Sequence, residues 1–165
     1  MTTHKKHASV GIEKLSCHFS ASHLINTSDI VEGIHGHNYY VELEIFGKIG
    51  SNDLVYDFIY LEGLLKRITS EWDHFVLLPQ HNEEIKYKKK GENFEIAYGD
   101  RFYSIPVAEV KLLNCSNTST EIFAKMIGEN FSKELNNHEA KENISAIKII
   151  VWETPHYFAS YTLHL

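Results

Sequence analysis

The sequence predicts an α+β fold, with antiparallel strands covered on one face by two helices. Three observations carry that prediction. Apolar residues alternate at period two near both ends of the chain, they recur at three- and four-residue spacing in two internal segments, and turn residues separate these stretches. The composition agrees. The 165 residues are 43% hydrophobic and 23% charged, within the range of globular proteins and unlike disordered ones.

Residues 1–9 are polar and read as a flexible N-terminus, leaving residues 10–165 as one domain. Leu15 to Phe19 alternates as a half-buried strand. Residues 21–34, with Asn26, Thr27, Ser28, Asp29 and Gly33, read as a loop. From His35 through Phe46 a second strand places Val41, Leu43 and Ile45 on one face, Glu42 and Glu44 on the other. The two strands are expected to pair as antiparallel neighbours. Over 57–70 the period changes: Phe58, Leu61, Leu65 and Ile68 predict an amphipathic helix. Lys88-Lys89-Lys90 reads as a solvated charge run. Segments 94–98 and 101–105 flank Gly99-Asp100 as a hairpin, an excursion from the main fold. Thr118-Ser119-Thr120-Glu121 has the pattern of a capping box before a second helix striped with Ile122, Phe123, Met126, Ile127, Phe131 and Leu135. Runs 144–152 and 157–165 form a final hairpin about Glu153-Thr154-Pro155-His156.

Charge and composition exclude several classes. A net charge of −6 argues against non-specific nucleic-acid binding. No stretch approaches the roughly 18 apolar residues of a membrane span. The N-terminus lacks the apolar run of a secretory signal. Cys17 and Cys115 make no disulfide framework, so a cytoplasmic setting is expected. The unusual number is 11 histidines, since histidine is the commonest metal ligand.

His35 and His37 are separated by Gly36 in an extended segment, so both imidazoles point to one side, about 6–7 Å apart. His23 ends the preceding strand and can face them across the loop. Three imidazoles with an open fourth position suit a catalytic zinc site; incidental surface histidines are the alternative. Glu32, three residues before His35, is a general-base candidate or a solvated loop residue. Asp73-His74 suits a proton relay or a simple turn. Glu153 follows the apolar run Ile149-Ile150-Val151-Trp152. Its carboxylate either meets solvent or is held for a donor-rich ligand edge.

Together these segments resemble the 6-pyruvoyltetrahydropterin synthase family, which includes bacterial 6-carboxytetrahydropterin synthases. The motifs are Phe19-Ser20-Ala21-Ser22-His23, His35-Gly36-His37-Asn38-Tyr39, Val55-Tyr56-Asp57-Phe58, Asp73-His74, Thr118-Ser119-Thr120-Glu121 and Trp152-Glu153-Thr154. The resemblance spans roughly residues 10–163. It implies a tunnelling fold, a four-stranded antiparallel sheet with two helices on one face. It also implies a homohexamer, a dimer of trimers, with active sites between subunits. His23, His35 and His37 would bind zinc, and Asp73 and His74 would relay protons, with His74 a candidate contribution from a neighbouring subunit. Glu153 would grip the amino-pyrimidine edge of a dihydropterin, and Thr120 and Glu121 would help seat its ring.

One departure bears on the reaction. These synthases usually carry a cysteine four residues before the first histidine of H-G-H, and here that position is Val31. Glu32 gives E-x-x-H-G-H instead. This pattern resembles a subgroup, known from malaria parasites and some bacteria, that feeds folate synthesis by making 6-hydroxymethyl-7,8-dihydropterin. The expectation is therefore a zinc-dependent lyase that cleaves the side chain of 7,8-dihydroneopterin or its triphosphate. A carboxylate can take the proton of a hydroxyl acidified by a metal. The alternatives are a 6-pyruvoyl- or 6-carboxy-tetrahydropterin synthase, a non-catalytic pterin-binding protein, and an interaction module with incidental histidines.

Overall fold

The computed structural model describes residues 7–27, 32–136 and 142–165. Its centre is β3 (His35–Lys48), a 14-residue strand whose alternation buries Tyr39, Val41, Leu43 and Ile45 on one face. One edge of β3 is lined twice. Its C-terminal half pairs antiparallel with β1 (His7–Ile12), and its N-terminal half with β2 (His18–His23). Between them the chain makes a single 3-10 turn, Lys14–Ser16. The other edge of β3 pairs with β9 (Ile144–Trp152), which pairs with β10 (Phe158–His164). The register shifts between Phe46 and Gly47, where a Cβ on Gly47 would lie 2.4 Å from the Asn143 carbonyl oxygen.

The expected antiparallel sheet is present as β2-β3-β9-β10, and the sheet extends further. β4 (Val76–Pro79) joins β2 in parallel, and β8 (Val110–Leu113) joins β4 in parallel, making seven strands. Four-residue segments such as VLLP and VKLL carry too few periods to announce a strand. The N-terminal boundary is also corrected. His7, Ala8 and Ser9 belong to β1, because the ladder with β3 fixes a segment whose polar side chains suggested fraying. The strand expected from Leu15 begins at His18 instead, after the 3-10 turn.

Helices α1 (Phe58–Ser70) and α2 (Thr120–Leu135) pack on one face of the sheet. Asp57 caps α1, its carboxylate accepting from the Ile59 N–H at 2.8 Å. The capping box expected before α2 does not form. Ser119 is the N-cap residue, and the Thr118 hydroxyl donates to the Leu24 carbonyl at 2.6 Å instead. The core between helices and sheet includes Phe19, Tyr39, Leu61, Leu65, Phe123, Ile127, Phe131 and Ile147.

The hairpin about Gly99 is an excursion, as expected, and gains a third strand. β5 (Lys86–Lys90), β6 (Asn93–Tyr98) and β7 (Arg101–Pro106) form a separate antiparallel sheet. The lysine run lies on exposed positions of β5. A second apolar cluster of Leu24, Leu78, Ile85, Ile96 and Tyr98 joins this small sheet to the main one. Among the described residues no helix is long and apolar enough to cross a membrane.

Candidate metal centre and adjoining clefts

The strand alternation that builds the core also builds the site. Phe19, Ala21 and His23 share one face of β2; His35, His37 and Tyr39 share the same face of β3. His23 lies directly opposite His35 in the antiparallel register. The apolar stripe therefore ends in three imidazoles. His23 is fully buried, in ring contact with Tyr39 and Phe123 at 5.8 Å each. One ligand nitrogen from each of His23, His35 and His37 falls within 4.8 Å of the others.

Backbone carbonyls set the tautomers. His23 Nδ1 lies 2.6 Å from the Thr118 carbonyl oxygen, and His35 Nδ1 lies 2.8 Å from that of Gly33. A carbonyl only accepts, so in the neutral rings each Nδ1 carries the proton. Both Nε2 atoms are then bare lone pairs, and they face each other at 3.0 Å. Glu153 Oε1, also an acceptor, lies 3.5 Å from His23 Nε2 and 3.9 Å from His37 Nε2. It is buried without a hydrogen-bond partner among the described residues. Several lone pairs converge where none has a proton to share, and a cation resolves that conflict. Burial, the largest influence, lowers the pKa of both His23 and His37, which keeps their lone pairs free near pH 7. The residues present fit a divalent ion of the zinc type, with carbonyl-anchored histidines of the kind that orient metal ligands.

Two clefts flank this centre. One, of about 220 Å³, is lined by Ser119, Thr120 and Glu121 at the start of α2 and by Glu153, Tyr157 and Phe158. It brings together all three residues expected to hold a pterin. The other, of about 500 Å³, is lined by Ser20, Ser22, His37, Asn38, His74 and Glu109. Here Asp73 and His74 form a pair, His74 Nδ1 lying 2.9 Å from Asp73 Oδ2. The second Asp73 oxygen accepts from the Ser20 N–H at 2.7 Å, and this bond is the leading cause that lowers the Asp73 pKa. His74 adopts a positive φ of 65° as the chain turns into β4. Its side chain is 82% exposed. His74 thus lines a cleft with His37, whereas Thr120, Glu121 and Glu153 line the other.

Glu32 Oε2 lies 3.5 Å from His35 Nε2, on a half-exposed side chain beside the imidazole cluster. Neither cysteine reaches the site. Cys17 is buried in the core against Thr69, and Cys115 lines neither cleft. Val31, which occupies the family's usual cysteine position, lies outside the described residues. Sequence reasoning missed the Thr118 and Gly33 carbonyls, because a main-chain oxygen leaves no mark on residue identity.

This centre is a three-histidine group with the geometry to hold a metal ion, set in an α+β fold beside a carboxylate-bearing cleft. Residues 13–164 match the model of 6-pyruvoyl tetrahydropterin synthase, and the chain belongs to that family. A Methanocaldococcus jannaschii relative named "Putative 6-carboxy-5,6,7,8-tetrahydropterin synthase" is 32% identical over 120 residues, 72% of this chain and 74% of the relative. The 6-pyruvoyltetrahydropterin synthase structure from Plasmodium vivax superposes with a TM-score of 0.92 at 25% identity, covering 97% of this chain and 99% of that one. The Plasmodium falciparum structure gives 0.91 at 28% identity, covering 96% and 99%.

Proposed function

We propose that the protein is a metal-dependent enzyme that transforms the side chain of a dihydropterin. The observation that carries this reading is the convergence of the His23 and His35 lone pairs, with His37 alongside, next to the unpartnered carboxylate oxygen of Glu153. His23, His35 and His37 would hold the ion, zinc by the chemistry of the donor set. When bound, the ion supplies Lewis-acid polarisation of the side-chain hydroxyls. Glu153 accepts hydrogen bonds from the amino-pyrimidine edge, and Thr120 and Glu121 close one wall of that cleft. Asp73 orients His74, which exchanges a proton with bulk water or, in an assembled hexamer, with a neighbouring subunit's ligand.

The names carried by the relatives favour a tetrahydropterin synthase outcome, either 6-pyruvoyl or 6-carboxy, over the cleavage expected from the sequence. A specific observation supports the cleavage reading as the second one. Besides Glu153, which is assigned to the pterin edge, the ionisable group beside the imidazoles is the Glu32 carboxylate, and both thiols lie elsewhere. In that reading Glu32 takes the proton of the second side-chain hydroxyl, the bond between the two hydroxyl-bearing carbons breaks to give the aldehyde, and the electron pair left on the ring-side carbon, delocalised into the dihydropterin, takes a proton back. The products are 6-hydroxymethyl-7,8-dihydropterin, a folate precursor, and a two-carbon aldehyde fragment.

Incubation of the metal-loaded protein with 7,8-dihydroneopterin triphosphate, and with its dephosphorylated form, tests both. Chromatography that yields 6-pyruvoyl- or 6-carboxy-tetrahydropterin establishes the synthase. The 6-hydroxymethyl product establishes the lyase. A bound, unaltered pterin would overturn both and leave a binding protein.

A further inference from the structure

The small three-stranded sheet touches the main fold at an informative place. Its tip residue Tyr98, at the end of β6, donates its hydroxyl to the main-chain carbonyl of Glu32. Across the hairpin, the Tyr103 hydroxyl accepts from the Ile34 N–H at 3.4 Å. A Cβ placed on Gly33, between these two bonds, would lie 3.2 Å from the same Tyr103 oxygen. The sheet thus presses directly on the tripeptide 32–34. Arg101 backs the contact, its guanidinium 3.4 Å from the Tyr98 hydroxyl and 5.5 Å from the ring centre. Ile34 and Leu24, on either side of the loop, pack in the same apolar cluster as Tyr98 and Tyr103.

The tripeptide has two tasks. It carries the Glu32 carboxylate, and its Gly33 carbonyl fixes the proton of His35 Nδ1. Its remaining main-chain bond, from the Glu32 N–H to the Ile25 carbonyl at 2.8 Å, comes from the loop itself. Among the described residues, the hydrogen bonds that hold the segment from outside the loop and β3 come from the accessory sheet. We propose that Tyr98 and Tyr103 are positioning residues: their hydroxyls set where the Glu32 carboxylate stands relative to the metal centre. This rests on the reading of Glu32 as the proton acceptor. Loss of either hydroxyl leaves the carboxylate and the imidazoles in place chemically and loosens their relative geometry. A displacement near 1 Å at a reacting group lowers rates by up to about a hundredfold.

The test uses Tyr98→Phe and Tyr103→Phe in the full chain, with Tyr87→Phe as control. The Tyr87 hydroxyl belongs to the same small sheet and donates to Pro79, away from Glu32. Turnover of 7,8-dihydroneopterin triphosphate, metal content and amide exchange of Gly33 and Ile34 are measured together. We expect kcat to fall roughly tenfold in the first two variants, with KM and metal content unchanged. Exchange at the two amides should rise by about tenfold, and Tyr87→Phe should match the parent. Unchanged kcat in both variants, unchanged exchange, or an equal loss in Tyr87→Phe would overturn the proposal. Glu32→Gln separates the two levels. Full turnover in that variant removes Glu32 as the proton acceptor, while the exchange measurement still reports whether the tyrosines hold the segment.

Discussion

Replacing Glu153 by glutamine should move stability and ligand affinity in opposite directions. Glu153 Oε1 is buried, has no hydrogen-bond partner among the described residues, and faces His23 Nε2 at 3.5 Å. An unsatisfied charged oxygen is costlier to bury than a neutral amide of the same shape. Glu153→Gln should therefore stabilise the metal-free protein by about 1 kcal/mol. For a chain of this size that is a rise in Tm of about 2–4 °C. A pterin presents adjacent N–H donors along its amino-pyrimidine edge. Glutamine keeps one acceptor and turns the other atom into a donor, so one charge-assisted bond is lost and two donors confront each other. That is worth about 2–4 kcal/mol, or roughly a 30- to 1,000-fold rise in Kd. Thermal unfolding of stripped protein measures the first effect. Fluorescence titration with neopterin, at matched and measured metal content, measures the second. A fall in Tm, or a Kd within threefold of the parent, would refute the assignment of this oxygen to an incoming ligand.

Other outcomes follow from the same geometry. His23→Ala or His37→Ala should lower bound metal by more than tenfold in equilibrium dialysis, with the sheet retained by circular dichroism. Glu32→Gln should remove product formation while metal content, measured by mass spectrometry, stays at the parent level. Burial holds the pKa values of His23 and His37 below the ordinary 6.5. The unfolded chain thus takes up protons first as pH falls. The stability these groups contribute is intact above about pH 6.5 and is lost below it, by at most about 1.4 kcal/mol per pH unit for each histidine. Urea titration of metal-free protein between pH 7.5 and 5 should show that decline. Gly47→Ala should destabilise by roughly 1–3 kcal/mol, since its Cβ would meet the Asn143 carbonyl at 2.4 Å.

The long strands and both helices were legible because each spans several periods of its pattern. β3 alternates through Val41, Leu43 and Ile45, and the same count carries His35 and His37 onto the core-facing side. Glu153, Thr120 and Glu121 came from motif resemblance, and one cleft holds all three. β4 and β8 escape because four residues, even mostly apolar ones, do not distinguish a strand from a buried turn. Thr118 departs from its local pattern for a related reason. Its hydroxyl suits a helix cap locally, yet Leu24, 94 residues earlier, supplies the partner it takes. The contacts of Tyr98 and Tyr103 with residues 32–34 likewise join segments 66 and 69 residues apart, a distance no local pattern encodes.

If His23, His35 and His37 hold the metal that acts on a dihydropterin, turnover requires that metal. The most direct measurement strips the protein with a chelator and then restores zinc in steps while following consumption of 7,8-dihydroneopterin triphosphate. Turnover should vanish on stripping and return in proportion to zinc, saturating at one ion per chain. Equal turnover by the stripped protein, or recovery in a His23→Ala and His37→Ala double variant, would contradict it.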